Sequence, residues 1–256
     1  MEYKNIILEK KAGITKLIIN RPPVNVINLE TLNEINLALT ELKNDNDTRV
    51  LLIRGSGTRA FCAGVEVKDH LGDMLPKMFN EFGRLFLLLR DLGKPTIAVV
   101  NGIALGGGCE IIAGCDMAVA AEKASMGQPE IQLGGLAPVA AALFPRIMGE
   151  KRAFELLLLG ESIPAKEAER IGLINKVVPE EELDKTAEEL AAKFLKKSSL
   201  SIKLVREAFY QCSDTAEVDN ALDKATKLGI NSWSTMDGQE GLKSYLEKRN
   251  PVWKNK

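Results

Sequence analysis

The amino-acid sequence predicts an α/β fold in which parallel strands are connected by helices. The runs "VLLI" and "TIAVV" are short and wholly apolar, which is typical of strands buried on both faces of a sheet. Between them, the residues from His70 to Leu92 have the apolar spacing of a long helix. Strands that alternate with helices in this way favour a parallel sheet with crossover connections. From Pro179 onward the pattern is helical, so we expect a helical C-terminal part.

The other elements follow from turn residues and apolar spacing. Gly13 separates the apolar runs Ile6–Leu8 and Ile14–Ile19, which predicts a hairpin. In the first half of the chain we expect a helix over Leu29–Leu42, a loop over "SGTRAFCAGVEV", a short helix over Cys109–Ala113 and a strand at "DMAVAAE". After these we expect a loop and then a helix within "GQPEIQLGGLAPVAAALFPRIMG", followed by a helix and a strand separated by Gly172. The C-terminal helices are expected at about 180–197, 200–212, 215–229 and 236–248. The chain then divides into an α/β core, residues 1–195, and a helical region, residues 196–256.

Composition excludes several classes of protein. The 256 residues include 34 basic and 35 acidic side chains, and a net charge of −1 gives no general attraction for nucleic acid or an anionic membrane. The apolar runs are too short to span a bilayer, and the charged start, "MEYKNIILEKKAG", lacks the order of a signal peptide. Four cysteines without paired spacing are typical of a reducing compartment, so we expect a cytoplasmic protein.

The single histidine, His70, restricts the chemistry further. Metal sites with several histidine ligands are excluded within one chain, and we expect neither a metal ion nor a cofactor. No GxSxG sequence supplies the serine of a hydrolytic triad. One alternative pairs Cys62 with His70 as nucleophile and base. The more ordinary interpretation is a small buried thiol and an exposed helical histidine.

The stretch "GIALGGGCEIIAGC" places three glycines at the start of an apolar helix, directly after a predicted strand. Backbone N–H groups at a helix start lack intrahelical acceptors, and glycine lets a ligand approach them. A phosphate loop would need a lysine and a hydroxyl residue after the glycines, and neither follows. Two interpretations stay open: close packing of helix on sheet, or binding of an oxygen that becomes negative during a reaction.

A second loop and two acids favour the reaction site. The loop "FCAGVEV" also follows a buried strand, so the two loops can each offer one N–H to a single carbonyl oxygen, as in an oxyanion hole. Glu110 lies in the first turn of the glycine-bearing helix, and Glu130 lies in "GQPEI", beyond one intervening strand. Two carboxylates facing one substrate suit the movement of protons and water. For each acid alone, an ordinary acid at a helix start is the alternative.

These motifs together resemble a known family. "FCAGVEV", "NGIALGGGCE" and "GQPEIQLG", in this order and spacing, resemble the enoyl-CoA hydratase/isomerase (crotonase) superfamily. The resemblance implies a spiral of ββα units with a helical C-terminal region that builds homotrimers, often paired into hexamers. It implies an acyl-CoA thioester as substrate, with the N–H groups of Val65 and Gly107 on the thioester oxygen. It also implies that Glu110 activates water and that Glu130 delivers a proton to carbon.

The resemblance extends to the CoA contacts. The segment 59–68 matches the one that lines the CoA moiety, with Lys68 as the main polar contact. The substrate-binding residues implied are Arg59, Ala63, Gly64, Val65, Lys68, Gly106, Gly107, Pro129 and Gly134. One run departs from common short-chain hydratases, because "GLAPVAAALFPRIMG" stands where they are glycine-rich. With the ending "EGLKSYLEKRNPVWKNK", it resembles cyclohexa-1,5-diene-1-carbonyl-CoA hydratases of anaerobic benzoyl-CoA breakdown, which implies a cyclic dienoyl substrate.

Other functions fit the sequence less well. A glycosidase also uses two carboxylates, but aromatic residues make up only 5% of the chain and sugar sites need aromatic platforms. A scaffold or RNA-binding relative would more often lose one glutamate or carry a basic patch. Within the family, a plain short-chain hydratase and a Δ-enoyl isomerase are the competing activities.

Overall fold

The computed structural model describes residues 3–197, 199–212, 230, 233–234 and 236–252. Its strands are β1 (Ile6–Lys11), β2 (Ile14–Ile19), β3 (Val50–Gly55), β4 (Ala60–Cys62), β5 (Thr96–Val100), β6 (Ile103–Leu105), β7 (Met117–Ala121), β8 (Ser125–Gly127), β9 (Ser162–Pro164) and β10 (Lys176–Val178). Its α-helices are α1 (Leu29–Asn44), α2 (Met74–Asp91), α3 (Gly107–Gly114), α4 (Pro138–Met148), α5 (Glu150–Leu159), α6 (Ala165–Arg170), α7 (Leu183–Leu195), α8 (Ser199–Cys212) and α9 (Met236–Leu246).

The strands form two sheets. The larger has the order β1-β2-β3-β5-β7-β10, and the smaller has the order β4-β6-β8-β9. The predicted hairpin is present as the antiparallel pair β1 and β2, whereas β2, β3, β5, β7 and β10 are mutually parallel. In the smaller sheet β4, β6 and β8 are parallel, and β9 is antiparallel to β8.

Three ββα units build this arrangement, and they confirm the predicted α/β spiral. In β3-β4-α2, β5-β6-α3 and β7-β8-α4, the first strand joins the larger sheet, the second joins the smaller sheet, and a helix follows. Strand side chains alternate between two cores: Leu51 and Ile53 of β3 pack in the main core, while Val50 and Leu52 pack with α7 on the opposite face. Burial on both faces explains why these strands are continuous apolar runs.

Several sequence-based predictions differ from the structure. The predicted loop "SGTRAFCAGVEV" contains β4, and β6 was not predicted, because three-residue strands are too short to show a period. Helix α2 begins at Met74 rather than His70, which lies in a 3₁₀ turn over Val67–His70. The helix expected at 215–229 lies outside the described residues, and the division at residue 195 stays a prediction. In the described part of the chain, no helix is both long and apolar enough to cross a membrane.

Candidate active site

The predicted site residues meet at the carboxyl ends of β4, β6 and β8. These strands are neighbours in the smaller sheet, so the segments that follow them leave from one edge. Val65 lies in the segment after β4, Gly107 begins α3 after β6, and Glu130 follows β8. Ligand sites in parallel sheets form where the carboxyl ends of strands meet. The fold therefore brings together residues that are far apart in the sequence.

The glycine run serves both packing and the site. A Cβ on Gly108 would overlap the carbonyl oxygen of Cys62, so the third glycine allows close helix–sheet packing. Gly106 has a φ of 52°, which side chains rarely adopt, and a Cβ there would lie 2.6 Å from Oε1 of Glu130. Close packing is therefore confirmed for Gly108, whereas the binding of a reacting oxygen stays a prediction.

Two backbone N–H groups, those of Val65 and Gly107, belong to adjacent residues. A Cβ on Gly107 would lie 2.7 Å from Cγ2 of Val65, so the two residues are adjacent. Within the described part of the chain, neither N–H donates to a protein acceptor. Gly107 is the first residue of α3, so its N–H has no acceptor within the helix. On either side of Val65, the carbonyl of Gly64 and the N–H of Glu66 form hydrogen bonds, but the N–H of Val65 forms none. An oxyanion hole needs two donors of this kind, and that role for Val65 and Gly107 stays a prediction.

Glu110 is a buried acid held by a second helix. Its exposed fraction is 2%, so it is not the ordinary surface acid at a helix start that was the alternative interpretation. The N–H of Ala140, in the first turn of α4, donates to Oε1 of Glu110 over 2.8 Å. Burial raises the pKa of Glu110, while hydrogen bonds from Ala140 and Val139 oppose the rise by favouring the ionised form. Helix α4 thus stabilises negative charge on Glu110.

Glu130 lies opposite, in a 3₁₀ turn over Pro129–Leu133. Its Oε2 atom is buried and has no hydrogen-bond partner among the described residues. Burial raises its pKa, and the negative charge of Glu110 raises it further. Because Glu110 has backbone donors and Glu130 faces a like charge, the favoured state has Glu110 ionised and Glu130 protonated. The site thus holds one base and one acid.

This protonation state predicts a bell-shaped pH profile for kcat/KM. Activity should fall at low pH as Glu110 takes up a proton, and at high pH as Glu130 loses one. Both limbs are expected above 4.5, the ordinary value for glutamate, because burial raises both pKa values. Steady-state rates across the pH range test this. A profile without an alkaline limb would contradict the assignment of Glu130 as the acid.

The alternative nucleophile pair is excluded. Cys62 is fully buried, its Sγ lies 3.5 Å from the carbonyl oxygen of Gly64, and burial raises the pKa of its thiol to about 12. A thiol in that state supplies no thiolate at neutral pH. The prediction that His70 is an exposed helical residue is also wrong, because the ring packs against Phe79 and Trp233. The contact of His70 with Trp233 joins positions far apart in the chain and therefore had no local signal.

The residues implied for CoA binding surround the same edge. Arg59 and Lys68 have exposed side chains, as contacts to a phosphorylated cofactor moiety require. Gly64, Gly106 and Gly134 all have positive φ, and their backbones approach the site without side chains. The complete set lies in segments that follow β4, β6 and β8, except that Arg59 precedes β4; it comprises Arg59, Ala63, Gly64, Val65, Lys68, Gly106, Gly107, Pro129 and Gly134. Their contacts with CoA stay a prediction.

Two further groups next to the predicted residues had no signal in the sequence. One is the N–H of Ala140, which lies thirty positions after its acceptor, Glu110. The other is Gln128, which is 1% exposed and has no partner for either side-chain polar atom among the described residues. A separate cavity of about 920 Å³, at the other end of α3, contains none of the predicted site residues.

Comparisons with known proteins agree with this geometry. The family model for enoyl-CoA hydratase/isomerase matches residues 9–256. The chain belongs to the enoyl-CoA hydratase/isomerase family. It is 40% identical to a crotonyl-CoA hydratase of Syntrophomonas wolfei over 97% of each chain, and 36% identical to a short-chain-enoyl-CoA hydratase of Clostridium acetobutylicum, also over 97% of each.

Solved structures confirm the family fold. An enoyl-CoA hydratase from Mycobacterium avium subsp. paratuberculosis superposes with a TM-score of 0.89 at 25% identity, over 99% of this chain and 100% of the other. The crotonase fold predicted from the motifs is thereby confirmed. Across the residues that the structure describes, no group of His, Cys, Asp or Glu side chains is suited to hold a metal ion.

Proposed function

We propose that the chain is a hydro-lyase that adds water across the double bond of a short-chain enoyl-CoA thioester. The observation that carries this proposal is the pair of glutamates, Glu110 and Glu130, which have unequal environments and lie beside two N–H groups without protein acceptors among the described residues. The names of the relatives support it, since those proteins are called crotonyl-CoA and short-chain-enoyl-CoA hydratases.

Each group has a defined part in the reaction. The N–H groups of Val65 and Gly107 bind the thioester oxygen and stabilise the negative charge that develops there. Ionised Glu110 takes a proton from water while the water oxygen bonds to the carbon β to the thioester. Protonated Glu130 gives its proton to the α carbon, so one water molecule is added in total. The proton held by Glu110 then passes to Glu130, which restores the ionised base and the protonated acid.

A second candidate substrate is a cyclic dienoyl thioester, cyclohexa-1,5-diene-1-carbonyl-CoA. The rigid start of α4 favours it: Pro138 is the first helical residue, Ala137 and Ala140 are buried, and the N–H of Ala140 donates to Glu110. A flat ring loses little conformational entropy against a fixed apolar wall, whereas a flexible chain loses more. For this substrate Glu130 would protonate the far end of the diene, and one conjugated double bond would survive.

A substrate panel tests both candidates. We expect crotonyl-CoA to be hydrated, in EDTA and without added nucleotide, as measured by loss of the thioester-conjugated absorbance. The cyclic candidate predicts a kcat/KM at least roughly tenfold higher for the cyclic diene, the modest selectivity that shape gives in an apolar pocket. An equal or lower value for the diene rejects that substrate and leaves the short-chain hydratase. Absence of hydration with both thioesters would contradict the proposed activity.

We also propose that the chain assembles as a trimer or a multiple of one. Large apolar side chains are exposed on two helices: Phe154, Leu158 and Leu159 on α5, and Leu204, Val205 and Phe209 on α8. Apolar faces of this kind are typical of surfaces that a partner covers. Light scattering at micromolar concentration should give a multiple of three times 28.0 kDa. A monodisperse monomer would refute the assembly.

A further inference from the structure

The peptide group that carries the N–H of Val65 is fixed by Ile27. The N–H of Ile27 donates to the carbonyl oxygen of Gly64 over 2.9 Å, and the N–H of Glu66 donates to the carbonyl oxygen of Ile27 over 2.7 Å. The carbonyl of Gly64 and the N–H of Val65 belong to one planar trans peptide group, so they point in opposite directions. Because Ile27 binds this carbonyl, the N–H of Val65 is directed away from Ile27.

The segment of residues 21–27 holds the loop of residues 63–66 at a second point. The N–H of Ala63 donates to the carbonyl oxygen of Val24 over 2.9 Å. Val24 and Ile27 thus bind the loop on both sides of Val65, and Asn25 lies between them in the chain. Asn25 has a φ of 56°, in the left-handed region, which asparagine adopts more readily than most other residues with a side chain.

The side chain of Asn25 anchors this segment. It is fully buried, and its Nδ2 donates to the carbonyl oxygens of Ser56 over 3.0 Å and Ala60 over 2.9 Å. Its Oδ1 accepts from the N–H of Arg21 over 3.1 Å and from the hydroxyl of Ser56 over 3.0 Å. These bonds use both hydrogens and both lone pairs of the amide. Asn25 therefore ties the 21–27 segment to the first residue of β4 and to the loop before it.

We propose that Asn25 is a positioning residue for the oxyanion hole, because it holds the segment through which Ile27 directs the N–H of Val65. The inference rests on the proposed function, in which that N–H is one of two donors to the thioester oxygen. Asn25 acts through the backbone of Ile27 and not through contact with the substrate. A hydrogen bond weakens steeply as its angle departs from linearity, so a small rotation of this peptide group weakens the donor.

Asn25→Gly tests the role of the amide. Glycine adopts a φ of 56° without strain, so the substitution removes the side-chain hydrogen bonds and keeps the backbone conformation accessible. With crotonyl-CoA, kcat should fall about tenfold, a part of the 10²–10³-fold effect of losing one oxyanion donor entirely. The affinity for butyryl-CoA, a saturated thioester, should change little.

Asn36→Ala is the matched control. Asn36 is also buried, and its Nδ2 donates to the carbonyl oxygen of Glu81 over 3.0 Å, which joins α1 to α2 away from the site. Both substitutions should lower the melting temperature, since each removes hydrogen bonds of a buried amide. Only Asn25→Gly should lower kcat.

Infrared difference spectroscopy of bound butyryl-CoA, labelled with carbon-13 at the thioester carbonyl, separates positioning from general stability. A hydrogen bond to the carbonyl oxygen weakens the C=O bond and lowers its stretching frequency. Wild type and Asn36→Ala should lower this frequency equally on binding, whereas Asn25→Gly should lower it less. An effect of Asn25 on stability alone would leave the bound frequency at its wild-type value.

The outcomes separate this inference from the proposed activity. A wild-type frequency and a wild-type kcat in Asn25→Gly would overturn the inference, while hydration of crotonyl-CoA still stands. If wild type shows the frequency shift and its dependence on Asn25 but adds no water to crotonyl-CoA, the proposed function fails and the inference holds. If Asn25→Gly does not fold, Ser56→Ala removes one bond to the same amide. It should give a smaller change in the same direction, and an unchanged frequency there would overturn the inference.

Discussion

Replacing Glu110 or Glu130 with glutamine is expected to lower kcat by about 10²–10⁴-fold, the usual contribution of a general acid or base. The amide keeps the shape of the side chain but can neither take up nor deliver the proton. In Glu110→Gln, the N–H of Ala140 still finds an oxygen acceptor, so the local structure should persist. Binding of a saturated acyl-CoA should change little, because the thioester oxygen is held by backbone donors.

Glu150 offers a matched control for both substitutions. It lies in the first turn of α5 and is exposed, so it represents the ordinary helix-start acid that was the alternative interpretation of Glu110. Glu150→Gln should leave kcat unchanged within the error of the assay. Near-normal turnover in both Glu110→Gln and Glu130→Gln would remove the acid–base assignment. If the affinity for the saturated acyl-CoA fell together with kcat, these acids would act in substrate recognition instead.

The substitution Gly106→Ala should lower kcat by about 10²–10³-fold, the effect of losing one oxyanion donor. The residue has a φ of 52°, where alanine is strained, and the new Cβ would lie 2.6 Å from Oε1 of Glu130. Relief of that contact must displace either the acid or the adjoining N–H of Gly107. Either displacement damages the alignment of donor, acid and substrate.

Gly149→Ala separates backbone strain from damage to the site. Gly149 also has a positive φ, 78°, but a Cβ there would meet no atom within 4 Å. Both variants should unfold at a lower temperature than wild type, since both place alanine in the left-handed region. Only Gly106→Ala should lose activity. Equal loss of kcat in both variants would mean that strain alone, rather than the contact with Glu130, explains the effect.

The parts predicted from the sequence are those with a local signal. Fully apolar runs gave β3, β5 and β7, and helical spacing gave α1 and most of α2. The glycine run indicated a helix start with Glu110 in its first turn, as the structure shows. The three motifs jointly gave the family, which the match to residues 9–256 confirms.

The parts that sequence reasoning missed depend on distant contacts. Strands of three residues, such as β4 and β6, have no measurable period, so the smaller sheet was not visible. The donor from Ala140 to Glu110 depends on how α4 packs, which no local pattern encodes. His70 looked like an ordinary helical residue because its neighbour Trp233 is far along the chain. Subfamily resemblance in two segments also did not decide the acyl group, which stays a proposal.

The central claim is that this site adds water to a thioester-conjugated double bond with Glu110 as base and Glu130 as acid. Mass spectrometry of the product formed from crotonyl-CoA in water labelled with heavy oxygen tests it most directly. We expect one labelled oxygen on the carbon β to the thioester, and strong loss of this product in Glu110→Gln and Glu130→Gln. Recovery of a double-bond isomer without label, or of free CoA from hydrolysis, would contradict it.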